Sequence, residues 1–355
     1  MTSKERVMTA LDFRTPDRIP IAPMGFWSEF TEKWRAATGI EGSIDDWFGV
    51  DIYIAIGDET PYPSLAEQVS RDGEYVLARD GWGQLKRTRE GASFFEQVEV
   101  AYSAEGTLWH GDFEPVELDS RYAALDARID TLKERYCVFV KVGGPFIRTG
   151  FMRGEAQWLM DLAADPQMAA EMAMRTARHL TAIGLEQLRR WDLYDTGVWI
   201  YDDMAATKGP MFSPATAESI LAPAWAHMIE SFKRAGAAKV ILHSDGDITP
   251  LLDIFIGVGF DGINPVEDHP GLDPADLRER YGDRLALLGG LDNRLILPGG
   301  DRSEVRQHVL DVLAAGRDGG LAIGTHSIGP DVSVETIELV RDTLIEHGTY
   351  PMSHE

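Results

Sequence analysis

From residue 136 onward the chain alternates short apolar runs with amphipathic helical stretches, and few folds accept that order. Val138–Val142, Val198–Tyr201, Lys239–His243, Gly262–Asn264, Leu285–Leu288 and Leu321–Ile323 are largely apolar throughout rather than at every second position. Such strands are buried on both faces, as in a parallel sheet covered by helices. Between them the spacing predicts helices over about 154–163, 167–191, 214–235, 248–258, 274–281, 302–316 and 333–346. Ser213-Pro214 and Asp273-Pro274 each place a capping oxygen before a first-turn proline.

The N-terminal third reads differently. Thr2-x-x-Glu5 is a capping box opening a helix over Ser3–Leu11, and helical spacing resumes over Phe26–Ala37. An apolar run, Ile52–Ile56, is followed by an antiparallel pattern: Glu74–Ala78, a turn at Asp80-Gly-Trp-Gly83, Gln84–Arg89, then Phe94–Ala101. Six later strands plus one or two from this region approach eight. No Gly-x-Gly-x-x-Gly follows an early strand, so an open dinucleotide-binding sheet is disfavoured. The expected fold is α/β: a (β/α)8 TIM barrel with an N-terminal helical and antiparallel β elaboration. One domain is expected over 1–355, with elaboration and first barrel elements in 1–135 and regular βα units in 136–346.

A barrel puts its chemistry at the C-terminal ends of its strands. There the sequence carries Asp202-Asp203, His243-Ser-Asp245, Asn264-Pro-Val-Glu267, Asp292-Asn293 and Thr325-His326. Turns favour Asp and Asn as well, so each alone is weak evidence. His243 and Asp245 are stronger together, because side chains two apart on a strand point the same way. With His326 they form a two-histidine, one-carboxylate set suited to Zn2+ or Fe2+.

Composition excludes other classes. The sole cysteine, Cys137, rules out an internal disulfide and a thiolate-rich metal site, and a reducing cytoplasm is the expected compartment. A net charge of −24 argues against nucleic acid and anionic membranes as partners. No apolar run reaches spanning length, and the first residues have no signal-peptide pattern.

Several phrases carry a family resemblance: Lys4-Glu-Arg-Val-Met-Thr-Ala-Leu, Thr15-Pro-Asp-Arg-Ile-Pro, Phe48-Gly-Val-Asp51 and Asp80-Gly-Trp-Gly83. Lys208-Gly-Pro-Met-Phe-Ser-Pro214, His243-Ser-Asp-Gly-Asp-Ile248 and Gly324-Thr-His-Ser-Ile-Gly-Pro330 continue it. In order and spacing they resemble the uroporphyrinogen decarboxylase-like superfamily, whose fold is a (β/α)8 barrel. Its decarboxylases clamp an acidic tetrapyrrole with an Arg-containing N-terminal loop. The corresponding Ile21–Phe30 has no arginine, which argues against that substrate.

The resemblance to the corrinoid-linked branch implies a zinc-dependent methyltransferase. It would move a methyl group from a small methylated donor, such as a methoxylated aromatic, to the Co(I) corrinoid of a partner protein. The thiol-specific members carry cysteines where this chain has Asp245 and His326. A harder His/Asp/His set leaves zinc a stronger Lewis acid, suited to O-demethylation. On this reading His243, Asp245 and His326 bind metal. Asp202 or Asp203 orients a ligand or donates a proton, and Glu267 is a fourth ligand or acid. Trp27, Phe26 and Met24 wall a ring pocket, with Arg148 and Asn264 as further substrate contacts. A homodimer is also expected.

The alternatives are a metal-free decarboxylase or lyase using His326 on a small carboxylated substrate, and a non-enzymatic scaffold. A 2-oxoglutarate iron oxygenase would need antiparallel strands and a basic residue soon after His326, where the next is Arg341.

Overall fold

The computed structural model describes residues 1–90, 95–267 and 271–352. Its strands in chain order are β1 (Ile52–Ile56), β2 (Glu67–Asp72), β3 (Tyr75–Arg79), β4 (Leu85–Arg89), β5 (Phe95–Glu99), β6 (Cys137–Gly143) and β7 (Gly197–Tyr201). There follow the two-residue β8 (Ala205–Ala206) and β9 (Gly209–Pro210), then β10 (Lys239–His243), β11 (Gly262–Val266), β12 (Ala286–Gly290) and β13 (Leu321–Gly324). Seven of them form one parallel sheet in the order β1-β6-β7-β10-β11-β12-β13, and β2 to β5 form an antiparallel sheet. Sequence order equals spatial order throughout the parallel sheet, as in a TIM-like barrel.

The sheet has seven strands where eight were expected. The eighth place is held by an extended segment, Pro20–Ala22. Ile21 pairs in parallel with Ile323 at one edge, and its carbonyl accepts the Asp51 N–H at the other. Pro20 and Pro23 flank it, and a proline has no N–H to give a ladder, so a longer strand cannot form.

The family-like phrases at the N-terminus act here. The Asp51 carboxylate is fully buried and accepts from Arg6 (2.7 Å), Arg18 (2.8 and 3.0 Å), Ser3 Oγ (2.9 Å) and Ile21 N (2.9 Å). Two guanidinium groups and a backbone donor offset its desolvation and lock the closing segment in place.

Alternation sorts the strand residues between two cores. Val138, Val140 and Val142 face the helices, whereas Cys137, Phe139, Trp199, Ile241 and Leu288 pack inside the curled sheet with Val7 and Leu11 of the first helix. Two positions further along, the same inner face carries Lys141, Tyr201 and His243. The capping box at Thr2 and Glu5 and both Ser/Asp-Pro caps are formed. β2 was not expected, because all its residues are exposed and show no apolar alternation. Phe94, the expected start of the last antiparallel strand, lies outside the described residues. No helix among the described residues is long and apolar enough to cross a membrane.

Candidate metal centre

His243 ends β10, and register places it opposite Tyr201 on one side and Asn264 on the other. Its ring stacks on Tyr201 with centroids 4.1 Å apart. Asn264 holds the other edge: its Oδ1 lies 2.7 Å from His243 Nδ1, while its Nδ2 donates to the Leu288 carbonyl at 3.2 Å. The second bond fixes which way the amide points, so Oδ1 is the acceptor and Nδ1 carries the proton. In a neutral ring Nε2 is then left with a lone pair aimed at the cluster.

Asp245 Oδ1 lies 3.4 Å from that nitrogen, and Asp245 Oδ2 lies 3.2 Å from His326 Nε2. One ligand atom from each of His243, Asp245 and His326 falls within 4.8 Å of the others. Asp245 Oδ1 is buried without a hydrogen-bond donor. Two acceptors facing one another need a cation or an extra proton between them. A divalent ion fits this donor set of two imidazoles and a carboxylate. Burial acts to raise the Asp245 pKa, but the hydrogen bond from His326 and the charges of both histidines outweigh it and lower it. The same hydrogen bond raises His326 against its own burial.

Local backbone explains the spacing. Gly246 has φ +82°, and a Cβ there would come within 2.7 Å of the Ala205 carbonyl, so the chain turns immediately after Asp245. Gly25 has φ +57° and lies against the His326 carbonyl, where a Cβ would sit 2.3 Å from the oxygen. The Gly25–Trp27 segment runs along His326–Ile328 and bonds to it at Ile328 N and Trp27 N.

The structure separates the two adjacent aspartates. Asp202 points away from the cluster: it is fully buried and accepts from Ile147 N (2.8 Å), Phe146 N (3.3 Å) and Trp225 Nε1 (2.8 Å), anchoring the start of the helix Pro145–Arg153. Burial pushes its pKa up to about 7, against the pull of those donors. Asp203 turns inward, with Oδ1 3.7 Å from His243 Nε2 and accepting the Asp245 N–H at 3.2 Å. Glu267 accepts the Gly246 N–H at 2.9 Å, beside the cluster.

Other expected contacts lie elsewhere. Arg148 pairs with Glu59 at 2.5 Å and packs over Trp82 and Phe151; Lys141 also binds Glu59, at 2.9 Å. Met24 is core, Phe26 packs on Phe30 and Phe48, and of the three expected ring-pocket residues Trp27 alone is exposed. Met24 and Phe26 border a 750 Å3 cavity that includes none of the cluster residues. A different cavity, of about 620 Å3, reaches Asp203, and sequence reading missed it because its walls come from β4, β5 and two helices far apart in the chain.

The sequence profile of the uroporphyrinogen decarboxylase (URO-D) family matches residues 110–347. The chain belongs to that family. No curated protein sequence matches this URO-D family member. A solved methyltransferase from Methanosarcina mazei shares its fold, with a TM-score of 0.70 and 16% identity over 98% of this chain and 99% of that one. A B12-independent methionine synthase from Shewanella sp. W3-18-1 aligns at TM-score 0.46 and 11% identity, over 95% and 96% of the two chains.

Proposed function

We propose that this URO-D family protein is a zinc-dependent methyltransferase of the closed (β/α)8 type. It moves a methyl group from a small O-methylated substrate to the Co(I) corrinoid of a partner protein. The observation that carries the reading is the meeting of His243 Nε2, Asp245 and His326 Nε2 around a buried carboxylate oxygen that has no donor. The structural likeness to a methyltransferase supports the fold on which the reading stands.

His243, Asp245 and His326 would hold the zinc, which would supply a Lewis acid for the ether oxygen. The chain's own groups do the rest. Asn264 keeps the His243 lone pair directed into the site, and Tyr201 holds the ring plane. Asp203 borders both the cluster and the cavity, so it holds or delivers the proton the departing oxygen needs. Glu267 is within reach of the same site through the Gly246 turn.

A metal-free lyase is the second reading. It is favoured by the 3.2 Å His326–Asp245 pair, which is a complete charge pair in itself when His326 is protonated. Elemental analysis of untagged protein separates the two. About one zinc per chain, lost in a His243→Ala/His326→Ala double variant, is expected, followed by methylcobalamin formation from a methoxyarene and Co(I) cobalamin. Failure to take up added zinc would sink the methyltransferase reading.

A further inference from the structure

Most polar side chains on the inner face near the cluster have a protein partner. Lys141 Nζ is bound to Glu59, His243 Nδ1 to Asn264, and the Asn264 amide in turn to the Leu288 carbonyl. Tyr201 lies between Lys141 and His243 on β7, and its hydroxyl has no hydrogen-bond partner among the described residues. The hydroxyls of Tyr102 and Tyr281 are also unpaired, but they are sealed in the core, whereas Tyr201 is half-buried and open to the site.

Packing fixes where that hydroxyl goes. Register sets Tyr201 beside His243, and the two rings stack with centroids 4.1 Å apart and planes 19° apart. Lys141 Nζ sits over the same phenol ring, 5.5 Å from its centroid, and pins it by a second contact. Strand side chains stand roughly perpendicular to their sheet, so both rings project into the barrel. A phenol is longer than an imidazole, and its hydroxyl therefore reaches past the His243 ring toward the cluster. Burial first, and then the charges of Asp203 and Asp245, raises its pKa, which puts both carboxylates in its neighbourhood. Neither accepts from it: Asp203 takes the Asp245 N–H, and Asp245 faces His326. A phenol is in any case protonated at neutral pH, with an ordinary pKa of about 10. The group is thus a fixed donor in a site otherwise lined by acceptors, and a bound molecule is left to satisfy it.

We propose that Tyr201 is a catalytic residue whose hydroxyl donates a hydrogen bond to the substrate oxygen that loses its methyl group. As the carbon–oxygen bond breaks, its electron pair stays on that oxygen, and the methyl carbon takes its new bond from the Co(I) electron pair. A preorganised donor aimed at the growing negative charge lowers the barrier. The tyrosine keeps its proton, and Asp203 remains the group that supplies one to the departing oxygen. The proposal rests on the methyl-transfer reading for the reaction, and on the inner-face geometry alone for the donor.

The test uses 4-nitrophenol, whose absorbance reports the state of its oxygen, with zinc-loaded and metal-stripped forms of wild type, Tyr201→Phe and Tyr201→Leu. Tyr201→Phe keeps the stack on His243 and removes only the donor. It should bind the probe about tenfold or more weakly than wild type, with zinc affinity within about twofold. Tyr201→Leu removes the stack as well, and zinc affinity should fall by about tenfold. With a methoxyarene and Co(I) cobalamin, Tyr201→Phe should lower kcat by about 100-fold and change KM far less. A residue that only props up His243 would show none of this in the phenylalanine variant. Unchanged probe affinity in Tyr201→Phe, no probe binding to wild type, or an equal loss of zinc affinity in both variants would overturn the proposal. A wild type that takes up no zinc, yet binds the probe about tenfold or more tightly than Tyr201→Phe, would remove the methyl-transfer reading while supporting the donor at Tyr201.

Discussion

Replacing Asn264 by alanine tests whether the cluster is organised for a metal. Asn264 is 7% exposed, so no solvent is at hand to replace its amide. Its loss frees the His243 ring to take the other tautomer, with the proton on Nε2 where a ligand lone pair is needed, and strands the Leu288 carbonyl. Loss of such an orienting partner lowers metal affinity by about 10- to 100-fold, or about 1.4–2.7 kcal/mol. Asn264→Asp is the decisive companion. It keeps an acceptor on Nδ1 and strengthens it with charge, but cannot donate to Leu288 unless protonated. Zinc affinity, read by competition with a chromophoric chelator, should fall in the alanine variant and stay at or above wild type in the aspartate variant. Urea denaturation should show both less stable than wild type. Affinity in Asn264→Ala within about twofold of wild type, or an equal loss in both variants, would refute the orienting role.

The paired aspartates should part company. Asp202→Ala should destabilise by about 1–3 kcal/mol, because it leaves the buried donors of Ile147 and Trp225 unpaired, with zinc affinity in the folded protein unchanged. Asp203→Asn should leave the urea midpoint near wild type and slow methyl transfer by about 100-fold or more. Asp51→Ala should cost about 3–5 kcal/mol in urea denaturation, since it leaves Arg6 and Arg18 without their shared carboxylate at the sheet closure. His179 is buried against the Glu59 carbonyl, and burial lowers its pKa from 6.5 to about 4. Below the higher value the unfolded chain binds the extra proton, so this contribution is whole above it and declines as pH falls toward 4. The loss at about pH 5 should approach 2 kcal/mol, and His179→Gln should flatten that part of the stability–pH curve.

What was legible in the sequence follows the physics of local pattern. β10 matches its expected bounds because Lys239–His243 is one apolar run closed by a polar turn. Two-residue alternation also foresaw that His243 and Asp245 point to one side. It could not rank Asp202 against Asp203, because that depends on the helix Pro145–Arg153, which was not expected from its mixed composition. Once that helix places its first N–H groups over Asp202, the aspartate is committed to them, and alternation hands the inner position to Asp203. The same argument governs Asn264. Its type and place at a strand end were readable, but its task was not, because β10–β11 register decides which side chain it meets. Arg148 shows the converse. An arginine after a strand reads as a substrate contact until a distant Glu59, from a segment the local pattern does not link to it, folds onto its guanidinium.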